Sequence, residues 1–230
     1  MADHRRWAVE EFGEAKLGDS RRVGRLLRIA TALFAHVAGT VTASFGSQAE
    51  RNGAYDFLGN AAITLFALTQ AIWTACAKRC APFEWVFVPV DGSSLGLLDP
   101  FHTRGTGRVG THAKGARGFI VMTAMAVTSL GVSLGICGQQ FWTRGPKRIK
   151  DTRAKRKFKD KETHYWVVVV EQVIAAFQRA ALKCVPWFQI DRGGDVADVL
   201  LKAVDSDWRV TVRAAQKRRM AGTDDVAYLW

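Results

Sequence analysis

Two aspartates a hundred residues apart carry the most chemistry that this sequence offers. Asp91 follows the apolar run Trp85-Val86-Phe87-Val88-Pro89-Val90 and precedes Gly-Ser-Ser. Asp191 follows a second, shorter run, Pro186-Trp187-Phe188-Gln189-Ile190. Runs of this kind suit strands buried on both faces, with a carboxylate emerging at each C-terminal end. If the two strands are neighbours, the carboxylates stand side by side and repel unless a cation lies between them. Oxygen ligands with spare coordination positions suit Mg²⁺ or Mn²⁺. A pair of such ions about 4 Å apart activates a nucleophile and stabilises a leaving oxygen in phosphodiester chemistry. The plainer alternative is that each aspartate ends a strand or caps the turn after it.

Other residues with chemical potential are less organised. Cys76 and Cys80 have a ligand-like spacing, but no second pair completes a zinc site. With Cys137 and Cys184 they read as buried reduced thiols of a cytosolic protein. His102, His112 and His164 are scattered and suggest no histidine-based site. Gly105, Gly107 and Gly110 in HTRGTGRVG lack the strand-to-helix context of a phosphate-binding fingerprint, so a mobile loop near DNA is expected there.

Charge supplies the second line of reasoning. Thirty-three Lys and Arg oppose 21 Asp and Glu in 230 residues, a net of +12, which calls for an anionic partner such as nucleic acid or a membrane surface. The segment 144–161, RGPKRIKDTRAKRKFKDK, holds ten basic and two acidic residues, +8 of the +12. Such a run is a solvated loop or an electrostatic handle; Lys155, Arg156 and Lys157 are its expected phosphate contacts. The N-terminus, MADHRRWAVEEFGEAKLGD, has no apolar secretory region. Phe119 to Cys137 runs 19 residues without a charge, near the length of a membrane span. Its Val, Ile and Thr content on both sides of Ser-Leu-Gly fits a buried hairpin instead, so no membrane partner is expected.

These residues need elements to place them. Residues 1–80 read as helical. Asp19 or Ser20 can cap a helix through roughly Val37, stopped by Gly39. Val23, Leu26, Leu27, Ala30, Leu33, Phe34 and Val37 form its apolar stripe, with Arg21, Arg25 and Arg28 opposite. Ser47-Gln48-Ala49-Glu50 is a capping box, and Asn60 can cap a third helix running towards Cys80. From residue 84 the period changes to strands at about 85–90, 118–128 and 131–142. A helix at 160–183, a strand at 186–190, a helix at about 194–203 and a strand at 208–213 follow.

Six blocks in order resemble a known family: LGDSRRVGRLLRIA (17–30), GAYDFLGN (53–60), VPVDGSSL (88–95), GARGFIVMTAMAVT (115–128), QQFWTR (139–144) and IDRGGDVADVL (190–200). Together they closely resemble the bacterial cut-and-paste transposases of the transposon-five, insertion-sequence-four type, from about Trp7 to the last residue. The resemblance implies an α/β fold, a ribonuclease-H-like mixed sheet flanked by helices (81–230), behind a helical DNA-binding region (1–80). It also implies an Asp-Asp-Glu triad that binds divalent metal, Mg²⁺ or Mn²⁺. The first aspartate matches Asp91 in VDGSS and the second Asp191, the leading residue of DRGGD.

The resemblance has further consequences. Asp195 of the same motif is expected as a helix cap or structural acid. Gly193 stands where the family usually has an acidic residue. The family's glutamate lies on a late helix in a Tyr-x2-Arg-x3-Glu arrangement that this sequence does not contain, so the expectation is a truncated transposase with an incomplete core. Glu162, opening the helix after the third strand, is a candidate substitute or a stabiliser of the helix N-terminus. The implied partners are transposon ends and target DNA, with Arg21, Arg22, Arg25 and Arg28 in the end-reading region, and a second copy in a homodimer. The implied location is the bacterial cytoplasm, at the nucleoid. The rival expectation is a non-catalytic DNA-binding remnant or inhibitor.

Overall fold

The structure, a computed structural model, describes residues 2–98, 101, 105–110, 116–145, 157–180 and 183–215. Five helices come first: α1 (Ala2–Phe12), α2 (Ser20–Ala35), α3 (Val41–Ser44), α4 (Gln48–Leu58) and α5 (Leu65–Cys80). The sheet follows as β1 (Trp85–Leu97), β2 (Gly107–Arg108), β3 (Arg117–Val127) and β4 (Ser133–Trp142). It is completed by α6 (His164–Arg179), β5 (Val185–Ile190), α7 (Ala197–Asp205) and β6 (Val210–Val212).

Side-chain caps set the starts of α2 to α5. The Asp19 carboxylate accepts the Arg21 backbone N–H at 2.8 Å and opens α2. Ser47 and Glu50 form the expected capping box at α4. Helix α5 begins later than Asn60: the Thr64 hydroxyl caps it, while Asn60 closes only the preceding turn through the Ala62 N–H. Leu26, Ile29 and Ala30 are the buried face of α2, which ends at Ala35. Of the residues expected in its apolar stripe, Phe34 is 40% exposed although its ring stacks on Trp7 of α1 at 4.5 Å, and Val37 is 82% exposed because it lies beyond the end of the helix.

Strand β1 is central, antiparallel to β3 on one side and parallel to β5 on the other. Strand β4 is antiparallel to β3, and β6 is parallel to β5. The charge-free stretch is therefore a β3–β4 hairpin, and no helix of the described residues is long and apolar enough to cross a membrane. Two sequence expectations change. Strand β1 does not end at Asp91 but runs on to Leu97, since residues 92–97 keep pairing with β3 after the apolar run stops. Apolarity marks where a strand is covered; the hydrogen-bond ladder marks where it ends. Within HTRGTGRVG, Gly107 and Arg108 form β2 against Gly118 and Arg117, so these two residues are tied to the sheet, while residues 102–104 lie outside the described residues.

Side chains alternate along β1. Val86, Val88 and Val90 are buried in one cluster with Val169, Val170 and Val173 of α6 and Cys76, Ala77 and Cys80 of α5. Trp85 and Phe87 point to the other face, where they pack on Trp187 of β5 at centroid separations of 5.6 and 5.5 Å. Helix α5 belongs to two cores. Its Ala71 packs with Leu17, Leu26, Ile29, Phe45, Ala54 and Phe57, while its C-terminal half packs on the sheet.

Candidate functional site

Register, rather than sequence proximity, assembles the site. Asp91 pairs with Thr123 on β3, and Thr123 pairs with Gln139 on β4. The parallel register of β1 and β5 closes with Val90 opposite Ile190, so the next step brings Asp91 beside Asp191. Asp191 keeps an extended backbone (φ −78°, ψ −175°) as it leaves β5. Val212 pairs with Ile190, and the Arg213 N–H donates to the Ile190 carbonyl at 2.8 Å, which puts Arg213 next to Asp191. Gln139, Thr123 and Asp91 thus form one row across β4, β3 and β1, neighbouring strands being about 4.8 Å apart, and Asp191 and Arg213 continue its line one residue beyond the ends of β5 and β6.

Both aspartates are exposed, and each gives one oxygen to the backbone. Asp91 Oδ1 accepts the Gly92 N–H at 2.7 Å, and Asp191 Oδ1 accepts the Gly193 N–H at 2.7 Å. For Asp191 this makes it the cap of the turn Arg192–Gly194, as the plainer alternative expected. The second oxygen of each carboxylate has no hydrogen bond among the described residues. Two exposed carboxylates with an oxygen each to spare are a hard donor set, suited to a divalent cation that keeps several of its waters. No group of three or more His, Cys, Asp or Glu is placed to hold a metal ion among the described residues.

The glycines after Asp191 have a steric reason. A Cβ on Gly194 would lie 2.2 Å from Ile190 Cγ2 and 3.1 Å from the Trp166 ring of α6. One on Gly193 would lie 3.0 Å from Asp191 Oδ1 and 3.2 Å from Trp166, so a side chain there would crowd this turn. Asp195 is buried, and its Oδ2 accepts the Ala215 N–H at 2.5 Å, tying the entry to α7 to the chain leaving β6. It acts as a structural acid; the cap position of α7 is Val196.

Glu162 precedes α6 and is engaged by Arg144, which donates from Nε at 2.5 Å and from its terminal nitrogen at 2.7 Å. Glu162 holds Arg144 above the ordinary guanidinium range, and burial, with Glu162 nearby, raises the Tyr165 phenol. The pair clamps the two ends of the basic segment, from the end of β4 to the start of α6. Lys155 and Arg156 lie outside the described residues. Lys157 is exposed just before the turn Phe158–Asp160.

The four expected arginine contacts differ in their surroundings. Arg21 turns back onto Asp19, donating at 3.1 and 2.8 Å, and Arg22 donates to the Leu17 carbonyl at 2.8 Å. The Arg21 side chain and N–H hold the Asp19 carboxyl below its usual range. Arg25 is not on an open face: it is half-buried, its guanidinium over Gly53 of α4, where an added Cβ would meet it at 2.5 Å. Arg28 is exposed. Neither Arg25 nor Arg28 has a hydrogen bond or ion pair among the described residues. Both border a groove between α2 and α4 that Asp56 and Asn60 also line.

Sequence reasoning missed Thr123, Gln139 and Arg213, because only strand register aligns them with the aspartates. The one available signal was the alternation along the β3–β4 hairpin, and the sequence does not fix its pairing. A comparison with known families gives a match over residues 4–63, from α1 through α4, to the model described as transposase DNA-binding. The segment holding Arg21, Arg22, Arg25 and Arg28 thereby supports a DNA-binding transposase role for this chain.

Proposed function

We propose that the chain is a DNA transposase polypeptide of the Asp-Asp-Glu class, of the transposon-five, insertion-sequence-four type. Its α1–α4 region binds transposon ends, and its sheet presents Asp91 and Asp191 to a divalent ion and the DNA backbone. The observation that carries this reading is a coincidence within one chain. A transposase DNA-binding segment precedes a mixed sheet in which Asp91 and Asp191 each directly follow the last paired residues of two parallel strands, Val90 and Ile190. The strand order β4-β3-β1-β5-β6, with the first three antiparallel and the last three parallel, supports a ribonuclease-H-like core.

The residues have separable tasks. Asp91 and Asp191 would hold Mg²⁺ or Mn²⁺, each having one carboxylate oxygen not bonded to the backbone. When bound, such an ion supplies activation of an attacking oxygen and stabilisation of a leaving one. Arg213, beside Asp191 in the row, neutralises a phosphate of the approaching strand. Arg25 and Arg28 reach bases at the end of the element, while Lys155, Arg156 and Lys157 hold phosphates. Glu162 is committed to Arg144 and does not serve as a third ligand. Two carboxylates hold one ion loosely, and a second needs a further ligand. This polypeptide alone therefore gives no strand transfer and at most trace nicking.

Nicking and strand-transfer assays on end-bearing duplexes with Mn²⁺ test the reading. End-specific binding with trace nicking that Asp91→Asn and Asp191→Asn remove is the expected result. End-specific binding with no ion-dependent nicking, unchanged by either substitution, would instead make the chain a non-catalytic DNA-binding remnant or inhibitor. Robust Mg²⁺-dependent cleavage requiring Glu162 would overturn the two-carboxylate assignment.

A further inference from the structure

Two polar side chains of the row, Thr123 and Gln139, have no part in the chemistry described above. Thr123 is the antiparallel partner of Asp91, so the two side chains share a face with Cβ atoms about 4.5–5.5 Å apart. Gln139, the partner of Thr123 on the next strand, donates from Nε2 to Thr123 Oγ1 at 3.2 Å. Gln139 is itself anchored: its backbone N–H donates to Gln172 Oε1 of α6 at 3.0 Å, and Gln172 Nε2 donates to Gln140 Oε1 at 3.2 Å. A hydroxyl has one proton and two lone pairs. With Gln139 bonded to a lone pair, the Thr123 proton is left to donate, and the ionised Asp91 across the ladder is an acceptor only.

We propose that Thr123, oriented by Gln139, is a positioning residue for the ion site. When the site is loaded, the Thr123 hydroxyl donates to the Asp91 carboxylate and fixes the rotation at which its open oxygen faces Asp191. The inference rests on the ion-holding role of the two aspartates. Its physical basis is that a carboxylate hinged on a single backbone hydrogen bond at Oδ1 can still swing, and a second donor removes that freedom. Outer-shell partners of this kind alter metal affinity by about 10- to 100-fold when removed.

The test is Mn²⁺ binding to the full chain, followed by electron paramagnetic resonance of the free ion, with thermal melts as the folding control. Thr123→Val keeps shape and removes the hydroxyl, and is expected to weaken Mn²⁺ about tenfold. Thr123→Ser restores the donor and is expected to recover most of that loss, while Gln139→Leu is expected to behave like Thr123→Val. A Thr123→Val protein that melts normally and binds Mn²⁺ as tightly as the parent overturns the inference. So does a Thr123→Ser protein as weak as Thr123→Val. If Asp91→Asn loses Mn²⁺ while Thr123→Val keeps it, positioning fails and the ion site stands. If the parent shows no Mn²⁺ binding that depends on Asp91, the ion site fails and the inference with it.

Discussion

Asp191 works in two directions at once, with one oxygen bonded to its own turn and the other open to solvent. An asparagine can accept the same Gly193 N–H with its amide oxygen. Asp191→Asn is thus expected to leave the melting temperature nearly unchanged while removing Mn²⁺ binding, a split that calorimetry of fold and ion reads directly. Gly194 is the reverse case. With Ile190 Cγ2 only 2.2 Å from where its Cβ would be, Gly194→Ala should destabilise the fold by about 1–3 kcal/mol through overpacking. The four cysteines are buried and free. The neighbouring Cys137 and Cys80 thiols draw Cys76 below the ordinary thiol range, and burial pushes Cys184 up. Burial decides reactivity here: an aromatic disulfide reagent is expected to titrate none of the four thiols in the native protein and all four after unfolding. Fast reaction of any one in native buffer would contradict that packing. At this scale the sequence identified the aspartates by type and by the apolar runs before them. It could not show Arg25 folded over Gly53, because that contact joins residues 28 positions apart on different helices.

Helix α5 links the α1–α4 region to the sheet, and one partly buried ion pair fastens the joint. Arg79 of α5 pairs with Glu11 of α1 at 2.7 Å and donates from Nε to the Leu134 carbonyl of β4 at 2.7 Å. Gly135 makes room for it: its φ of +130° suits glycine, and a Cβ there would meet the Arg79 guanidinium at 2.6 Å. Removing one partner strands the other in a mostly buried place. Glu11→Gln or Arg79→Met should lower stability by about 1–3 kcal/mol in denaturant unfolding, and an unchanged midpoint would argue against the clamp. Asp19 at the start of α2 titrates with a defined sign. Its folded pKa is lowered by Arg21, so its contribution is present above the ordinary carboxylate value of about 3.9 and is lost as pH falls through the lower folded value. Fraying of α2 followed by amide exchange should therefore increase in acid, and Asp19→Ala should remove that pH dependence. Element types were largely legible from period and caps, as Ser47-Glu50 and the two apolar runs illustrate. Boundaries were not, since Asn60 and Thr64 are equally good caps by type and tertiary contacts choose between them.

Across the whole molecule the basic residues fall into two groups in the sequence, and the groups predict different behaviour towards DNA. The basic segment 144–161, clamped at its base by Arg144 and Glu162, is expected to contact phosphates irrespective of sequence. Removing one lysine or arginine from a phosphate should flatten the slope of log K against log salt by about one. Replacing Lys155, Arg156 and Lys157 with alanine should thus weaken all duplexes by the same factor. Net charge was legible from composition. Which arginines are held by partners was not, because Arg21 and Arg22 look as free as Arg28 until Asp19 and Leu17 are placed beside them. The measurement that bears most directly on the central claim is duplex affinity after selection of a preferred sequence from a random pool. It compares the parent with Arg25→Ala and Arg28→Ala on selected and scrambled DNA. Each arginine taken from a base is expected to weaken the selected duplex by about 1–3 kcal/mol, with little change on the scrambled one. Equal weakening on both duplexes, or a pool from which no preferred sequence emerges, would contradict an end-reading role for residues 4–63.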